Sequence, residues 1–337
     1  MVLSPRKPPP SPFGDYLLLD RISVGGMAEI WRAKMFGVEG GGRLVALKRI
    51  LPFLSMDEEF VTMFLDEGRL GLQLLHANIA QTVEVGQVDS EPFLAMEYVP
   101  GKSLGELFEH HGKQGKPAPI PLVCHCIAEM CAGLDYAHRK KDGMGRDLNI
   151  VHRGLSPHDV LLSFEGGVKV IDFGIAKAAG RVTQTQPGII KGKFGYMSLE
   201  QIDGPSVDRR TDVFVIGVCL YELLTGERLF AGDNPIDIVE KMRRMQVAPP
   251  STYNRHIPQS LERIVFRALA PDVNERYPYA SELGEDLRRF LALEGEDFAQ
   301  HDLRRYLRAT FAQDVQREEQ RQQEYARIAP PKDVDES

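Results

Sequence analysis

The sequence predicts an α+β protein built from two lobes, of which the first is rich in strands and the second is mainly helical. Its 337 residues are too many for one small core and suit two lobes of ordinary size. Short β-branched and aliphatic runs dominate up to about residue 99, and helical periodicities dominate beyond it. Pro100 and Gly101 stand between the two regions and predict a hinge.

The first lobe contains the predicted strands. Residues 15–33 and 43–50 are rich in β-branched and aliphatic side chains, which predicts strand structure. Helical periodicity follows over 57–75, and PFLAMEYV at 92–99 returns to strand character. The N-terminal stretch MVLSPRKPPPSPFG is rich in proline and lacks the apolar core of a secretion signal, so we predict a disordered lead-in.

The second lobe is predicted to be mainly helical. Ser103, in PGKSLGEL, is the expected N-cap of its first helix. Two short apolar runs, 159–163 and 168–172, flank FEGG and predict a hairpin. Helical periodicity recurs over 121–138, 212–224, 235–245, 259–269 and 280–293.

Beyond residue 295 the chain changes character. A row of apolar residues keeps helical spacing and predicts a helix docked on the second lobe. Its members are Leu303, Tyr306, Leu307, Phe311 and Val315. The following QREEQRQQE has no apolar face, so we expect a solvent-exposed extension, with a partner-binding helix as the alternative. The predicted organisation is a lead-in at 1–14, a first lobe at 15–99, a second lobe at 100–295, and a helical extension with a disordered tail at 296–337.

Composition excludes several classes of protein. The formal net charge of −7 argues against a general nucleic-acid binder. No apolar run approaches the roughly 20 residues that span a bilayer. The four cysteines form no CxxC pair and lie in apolar helical stretches, which predicts small buried side chains in a reducing cytoplasm and does not support metal binding. They are Cys124, Cys126, Cys131 and Cys219.

A glycine-rich segment, DRISVGGMAEIWRA, lies between two predicted strands. Backbone amides beside glycines can face anionic oxygens, which makes the segment a candidate phosphate-binding turn. Ser23 and Ala28 occupy two of the three glycine places of a G-x-G-x-x-G pattern, which weakens the match. A plain hairpin with Gly25 and Gly26 in its turn explains the segment equally well.

Lys48 ends an otherwise apolar strand, VALK. An isolated buried ammonium is costly, so an anionic partner is expected. On the following helix the apolar face includes Phe60, Met63 and Phe64, and Glu67 falls on the same face. We therefore predict an ion pair between Lys48 and Glu67; the alternative is two unrelated charges that reach solvent.

Asp172 closes the apolar strand of VKVIDFGIAK, where an acid next to a flexible glycine can hold a divalent cation that bridges phosphates. IVHRGLSPHDVLL precedes it, and GKFGYMSLEQ and TDVFVIGVCLYELLTG follow. The order of glycine-rich turn, VALK, helix glutamate, HR-x-L, DFG and x-x-E resembles the protein-kinase signature set. The resemblance extends from residue 15 to about residue 295, and GGMAE and TDVFVIGV are similar to bacterial eukaryotic-like serine/threonine kinases.

The resemblance implies a two-lobed protein-kinase fold that binds ATP and Mg²⁺. Lys48 would pair with the α- and β-phosphates and with Glu67, under a loop formed by Ser23–Ala28, and Asp172 would bind the metal. The residues implied around the adenine are Ile30, Ala46 and Leu161, the gatekeeper Met96, and the hinge from Glu97 to Val99. Two pairings would brace the second lobe. Asp212 would hold the backbone of the His152–Arg153 turn, and Glu200 would pair with Arg276.

The catalytic loop departs from the family pattern. Gly154 stands where the family has the aspartate that orients the substrate hydroxyl and accepts its proton. Ser156 replaces the lysine that supports the γ-phosphate. Asp159 replaces the asparagine of the second metal site, a mild change because carboxylates also bind magnesium. Catalysis should therefore be feeble or absent.

Three further departures lie outside this loop. Leu199 replaces the proline of the A-P-E motif, and Val273 replaces another family proline. Gly71 stands one turn beyond Glu67, where a bulky aliphatic side chain normally packs. We expect the looser packing to let this helix shift more readily.

The activation segment carries three candidate residues. Lys193 stands where the family has threonine, and its ammonium could restore a positive charge near Ser156; a solvent-facing side chain is the alternative. Thr183 and Thr185 are candidate phosphorylation sites, because activation by phosphorylation works through an arginine such as Arg153. An unmodified polar loop is the alternative there.

The sequence therefore favours a pseudokinase, a scaffold that binds Mg-ATP and responds to it in signalling. Its expected partner is a protein, such as an active kinase or another signalling protein, with no nucleic acid and no membrane span involved. A slow but active serine/threonine kinase is the first alternative. A kinase-shaped interaction module that binds no nucleotide is the second.

Overall fold

The computed structural model describes most of the chain as two compact units. The described residues are 10–36, 42–173, 194–204 and 207–329. The first unit comprises the described residues up to Leu75, those of 80–100 and those from Phe311 onward. The second unit comprises 76–79 and the described residues of 101–310.

The first unit is built on an antiparallel sheet of six strands. In sheet order the strands are β1, β2, β3, β4, β6 and β5. Their bounds are Ser11–Phe13 (β1), Tyr16–Val24 (β2), Ala28–Phe36 (β3), Gly42–Ile50 (β4), Thr82–Val88 (β5) and Glu91–Glu97 (β6). One face of this sheet forms an apolar core that includes Tyr16, Ala33, Val45, Leu47 and Phe93. The strands predicted around residues 15–33, 43–50 and 92–99 are confirmed. The disordered lead-in predicted for 1–14 is wrong for its last residues, because Ser11–Phe13 pair with β2 as strand β1.

Helix α1, Glu58–Gly71, packs on the other face of the sheet. It begins where Asp57 caps it, because the Asp57 carboxylate accepts hydrogen bonds from the amides of Glu59 and Phe60. An added Cβ at Gly68 would lie 2.2 Å from Leu94, so only glycine lets the helix approach β6 this closely. The helix ends four residues before the predicted boundary at residue 75.

The second unit contains the remaining described strands and helices α2 to α9. A small sheet is formed by β7 (Gly101–Ser103), β8 (Val160–Ser163) and β9 (Val168–Val170). The helices are α2 (Leu104–Gln114), α3 (Ile120–His138), α4 (Leu199–Asp203), α5 (Arg210–Thr225), α6 (Pro235–Arg244), α7 (Gln259–Ala268), α8 (Ala280–Leu293) and α9 (Gln300–Thr310). Ser103 caps α2 in a capping box with Glu106, as the sequence predicts.

Helices α3 and α5 form the core of the second unit. All four cysteines lie on them, buried and unpaired. Among the described residues, α3 is the one helix that is long and apolar enough to cross a membrane. Because 67% of its most apolar window is buried inside the unit, it has the environment of a core helix. The predicted helices and the hairpin of β8 and β9 are confirmed to within a few residues.

The C-terminal stretch differs from the prediction. It forms two helices: α9 belongs to the second unit and buries Leu303 and Leu307, whereas α10, Ala312–Ala326, belongs to the first unit. Phe311 and Val315 therefore do not continue a stripe on the second lobe. The expected solvent-exposed extension is also wrong, because Glu318 and Tyr325 are 7% and 2% exposed.

Candidate active site

One face of the first unit's sheet gathers several of the predicted nucleotide-binding residues. Ile30 pairs with Lys48 across β3 and β4, and Ala46 pairs with Met96 across β4 and β6. Cross-strand partners lie on the same face, as do residues two apart on one strand. The four side chains therefore share the face on which α1 packs.

The other predicted adenine residues lie at two places. Glu97 and Val99, both half-buried, stand at and just after the end of β6 in the first unit. Leu161 lies in the second unit on β8, where it pairs with Ser103 and Lys169.

Lys48 and Glu67 form the predicted ion pair. The Lys48 Nζ lies 3.1 Å from the Glu67 Oε1, and the two side chains are only 6% and 9% exposed. The ring centre of Phe64 lies 6.0 Å from the same ammonium. The alternative of two unrelated charges is therefore wrong. Removing either partner would take from the other buried charge the counterion that lies 3.1 Å away.

The glycine-rich segment is a hairpin turn between β2 and β3. Val24 pairs with Glu29, and the Gly25 amide donates to the Ala28 carbonyl over 2.8 Å. Gly25 is exposed, Gly26 is half-buried and Ala28 is buried. Both interpretations of the sequence are compatible with this geometry, since a phosphate-binding turn of this kind is itself a hairpin.

Gly71, the last residue of α1, is tightly packed within the first unit. A Cβ added there would lie 2.3 Å from the Thr82 Oγ1 and 3.2 Å from the Thr82 Cβ. Thr82 itself is 8% exposed. The threonine side chain therefore fills the space beside Gly71, and an added side chain would have to displace it. The expectation that α1 shifts more readily stays a prediction.

We expect Gly71→Ala to lower the free energy of unfolding by about 1–3 kcal/mol, the usual effect of overpacking. The double variant Gly71→Ala/Thr82→Ala should recover most of this loss, because the clashing hydroxyl is gone. Gly112→Ala is the matched control: it lies in α2, and its added Cβ meets nothing within 4 Å. Urea unfolding gives the free energy of unfolding of all three variants. An equal change of this free energy, relative to the unmodified protein, in Gly71→Ala and Gly112→Ala would refute the steric explanation.

The catalytic-loop sequence HRG forms a tight turn in the second unit. The Gly154 amide donates to the His152 carbonyl over 2.7 Å, and Arg153 between them has a φ of 61°. This left-handed conformation is unfavourable for a residue with a side chain, so the surroundings must hold it. Asp212 does so, as predicted. Its carboxylate accepts the amides of His152 at 2.8 Å and Arg153 at 3.0 Å, and the His138 Nε2 lies 2.8 Å from it.

The Asp212 carboxylate is fully buried, and burial by itself raises its pKa. The hydrogen bond from His138, the neighbouring His138 and His152 rings, and the His152 amide more than offset this effect. The net result is a pKa below its ordinary value. Asp212 is therefore ionised at neutral pH and holds the turn as a charged acceptor.

The segment before Asp172 is attached to the catalytic loop on both sides. The Ile171 amide donates to the Asp159 carbonyl over 2.9 Å, and its carbonyl accepts the His152 Nε2 at 2.8 Å. The ring of Phe173 lies 4.9 Å from that of His152. Asp172 itself has a φ of 62°, a strained conformation of the kind found at functional positions.

Asp159 and Asp172 are the candidate metal ligands, and their oxygen donors suit magnesium. Mg²⁺ is commonly bound by one or two carboxylates together with phosphate oxygens and water. Asp159 is buried, and its Oδ2 accepts a hydrogen bond from the Ser156 Oγ at 2.6 Å. In the part of the chain that the structure describes, no group of three or more His, Cys, Asp and Glu side chains could enclose a metal by itself. The donor set therefore fits a magnesium that arrives with phosphates.

Glu200 and Arg276 form the second predicted pairing. The Arg276 guanidinium lies 2.6 Å from the Glu200 Oε1, and its side chain is 0% exposed. Leu199, one residue before Glu200, is the first residue of α4, a position that tolerates proline well. Val273 is half-buried in the turn before Arg276.

Three of the predicted site residues cannot be placed. Lys193, Thr183 and Thr185 all lie outside the described residues. The hypothesis that Lys193 supplies a positive charge near Ser156, and the proposed phosphorylation of the two threonines, stay predictions.

Two contacts at the site were missed from the sequence. Gln201 donates from its side chain to the Arg153 carbonyl over 2.6 Å, which ties the start of α4 to the catalytic turn. Thr82 contacts Gly71, as described above. A single polar residue after the x-x-E motif, such as Gln201, gives no periodic signal in the sequence. The sequence also gives no sign that Thr82 lies beside Gly71.

Comparison with known proteins agrees with the fold. A model of the protein kinase domain matches residues 20–286. The chain is 39% identical over 281 residues to the tyrosine-protein kinase MasK of Myxococcus xanthus, and 33% identical over 286 residues to the serine/threonine-protein kinase PknB of Mycobacterium leprae. Both alignments cover 83% of this chain but 44% of the relative. The chain thus spans less than half the length of these curated relatives.

Among solved structures, the PknI kinase domain of Mycobacterium tuberculosis aligns with a TM-score of 0.62 and 22% identity. The alignment covers 86% of this chain and 99% of that domain. At this level of identity the likeness shows the fold alone, a strand-rich unit and a helical unit. Together with the matched family model and the bacterial relatives, it establishes that the chain belongs to the protein-kinase family.

Proposed function

We propose that this protein-kinase domain binds Mg-ATP but transfers phosphate poorly, and that it acts in signalling as a nucleotide-responsive scaffold. The single observation that carries the proposal is Gly154. The loop around it is held by Asp212 at the two residues before it, yet position 154 offers no side chain.

The phosphate-binding half of the proposal rests on Lys48. Its amine is fixed by Glu67 at 3.1 Å on the sheet face that also carries Ile30, Ala46 and Met96. An ammonium held in this way offers a fixed positive charge to phosphate oxygens. The magnesium that accompanies the nucleotide would neutralise phosphate charge, with Asp159 and Asp172 as the protein ligands that hold it.

The loss of transfer follows from the missing carboxylate. A positioned acid–base group contributes about 10²–10⁴-fold to a rate. Phosphoryl transfer depends mainly on positioning and charge neutralisation, so the acceptor would lose orientation as well as a proton acceptor. The hydroxyl of Ser156 cannot supply the charge of a lysine, because it is neutral and is bonded to Asp159.

Nucleotide binding is tested by isothermal titration of Mg-ATP with the unmodified protein and with Lys48→Met. We expect the substitution to weaken binding about tenfold or more, the equivalent of losing one charge-assisted hydrogen bond. Lys141→Met, at a lysine whose side chain is 60% exposed in the second unit, is the control and should leave the affinity unchanged. No binding by the unmodified protein would favour the interaction module that needs no nucleotide.

The second part of the proposal, that the protein transfers phosphate poorly, is tested by measuring the transfer of radiolabelled phosphate by the same preparations. We expect a rate close to background for the unmodified protein, on serine, threonine and tyrosine acceptors alike. Transfer that disappears in Lys48→Met would instead support the active serine/threonine kinase, or a tyrosine kinase, which is what MasK is named. A cytoplasmic location and a protein partner complete the proposal, and co-purification from cytoplasmic extracts would test them.

A further inference from the structure

Helix α10 lies beyond the family match, which ends at residue 286, yet it is part of the first unit. The buried positions on it are Val315, Glu318 and Tyr325. With Gln322 they follow one helical stripe, at spacings of three, four and three residues. Two of the four positions are polar, which is why a search for apolar periodicity does not find the stripe.

Glu318 is the centre of the contact. Its Oε1 accepts a hydrogen bond from the Tyr98 hydroxyl at 2.9 Å, and its Oε2 lies 3.3 Å from the Arg32 guanidinium. Arg32 also donates to the Tyr98 hydroxyl and lies with its guanidinium carbon 4.6 Å from the centre of the Tyr98 ring. Glu318 and Arg32 are 7% and 4% exposed, so water screens these charges little.

The far end of the helix has two further anchors. The Tyr325 hydroxyl donates to Asp20 over 2.6 Å, and the Tyr325 ring packs with Leu17 and Leu19. The Lys34 amine donates to the carbonyls of Tyr325 at 3.0 Å, Ala326 at 3.3 Å and Ile328 at 2.7 Å. The lysine adds a donor to carbonyls at the end of the helix, and its positive charge interacts favourably with the negative end of the helix dipole.

These contacts join the helix to the residues proposed to hold the adenine. Tyr98 stands between Glu97 and Val99, in the hinge. Arg32 is the direct cross-strand partner of Ala46 and lies two residues from Ile30 on the same face of β3. Burial, in spite of the opposing effect of Arg32, raises the pKa of the Tyr98 hydroxyl to about 12, so the hydroxyl stays protonated and can donate to Glu318.

We propose that Glu318 is a positioning residue for the hinge: through Tyr98 and Arg32, helix α10 fixes the backbone at residues 97–99 and so increases the affinity for the adenine nucleotide. This inference rests on the proposed nucleotide binding. A helix that served only as a brace would need its apolar contacts and the Lys34 cap. It would not need Glu318 beside Arg32, whose guanidinium already donates to the Asp20 carboxylate at 2.7 Å. Two carboxylates around one buried arginine are costly unless every group is paired and its geometry is fixed.

The test uses the full chain with four variants. Glu318→Gln removes the charge at the centre of the contact, and Tyr98→Phe removes the hydroxyl that links the hinge to it. Lys34→Met removes the amine that binds the carbonyls at the far end of α10 and leaves the groups around Arg32 in place. Glu319→Gln makes the same change one residue along, at an exposed position, and is the matched control. Amide hydrogen exchange at residues 97–99 and 312–326, the affinity for Mg-ATP and the thermal midpoint are measured on each.

We expect Glu318→Gln and Tyr98→Phe to speed exchange at residues 97–99 and to weaken Mg-ATP binding about threefold or more, within the range seen for coupled networks. Lys34→Met should speed exchange in α10 but leave exchange at residues 97–99 like that of the control. The proposal is overturned if Glu318→Gln lowers the thermal midpoint while exchange at 97–99 matches that of Glu319→Gln, since the helix is then only a brace. If the unmodified protein binds no nucleotide, the proposed function fails, but faster exchange at 97–99 still demonstrates the link between helix and hinge.

Discussion

Replacing Gly154 with aspartate is expected to raise the rate of phosphate transfer by about 10²–10⁴-fold, the contribution of a positioned acid–base group. The new carboxylate would accept the proton of the acceptor hydroxyl and orient its oxygen. Two of the parts that it needs are in place, one in each unit. Lys48 is paired with Glu67 in the first unit, and the turn before residue 154 is held by Asp212 in the second.

The backbone should accept the substitution. Among the described residues with positive φ, Arg153 is present and Gly154 is not, so the strained position of the turn is the arginine. An aspartate at 154 therefore carries no left-handed penalty. The circular dichroism spectrum and thermal midpoint of Gly154→Asp should match those of the unmodified protein.

Two controls isolate the carboxylate. The asparagine side chain of Gly154→Asn has nearly the same shape as aspartate but cannot act as a base, so the rate of phosphate transfer by this variant should stay near background. Lys48→Met in the Gly154→Asp background should return transfer to background, which excludes a contaminating kinase. If Gly154→Asp folds, binds Mg-ATP and still transfers no phosphate, then the lost aspartate does not explain inactivity. The next candidate cause of the inactivity is Ser156, which stands in the place of the loop lysine.

Much of the candidate site could be predicted because its residues combine a fixed motif with a simple geometric rule. Lys48 and Glu67 were expected together because a buried ammonium needs a counterion and the glutamate falls on the apolar helix face. Asp212 and Glu200 followed from the family motifs, and the structure gives each the predicted partner. Ser103 was predicted from local capping chemistry alone, which needs no tertiary information.

The contacts that escaped prediction depend on packing between segments far apart in the chain. Thr82 meets Gly71 because β5 lies beside α1, and no local pattern encodes that distance. Helix α10 joins the first unit although 220 residues separate Glu318 from Tyr98. Its buried face contains a glutamate paired with an arginine, and a polar residue counts as solvent-facing in any periodicity analysis until its partner is known.

The largest expected loss of stability is that of Glu200→Ala, which should lower the free energy of unfolding by about 3–5 kcal/mol. The Arg276 guanidinium would keep its bonds to the Ala270 and Arg210 carbonyls, at 2.7 and 3.2 Å, but would lose its counterion in a place that water does not reach. Glu240→Ala is the matched control, because its pair with Arg244 is exposed and such pairs contribute about 1 kcal/mol or less.

The pH dependence gives an independent check on this pair. Burial raises the pKa of the Glu200 carboxyl, but the hydrogen bond and the charge of Arg276 lower it by more than burial raises it. The resulting pKa lies below the ordinary value of 4.5. The folded protein therefore binds fewer protons than the unfolded chain between those two pKa values, and stability rises with pH there. The stabilisation is fully present above pH 4.5 and is lost as the pH falls through the folded value, so the gap between the unmodified protein and Glu200→Ala should narrow in acid. Urea unfolding at pH 7 and at pH 4 measures the gap. A loss at pH 7 no larger than that of Glu240→Ala would mean that the carbonyl bonds alone hold Arg276. A gap that is equal at both pH values would contradict the lowered pKa of Glu200.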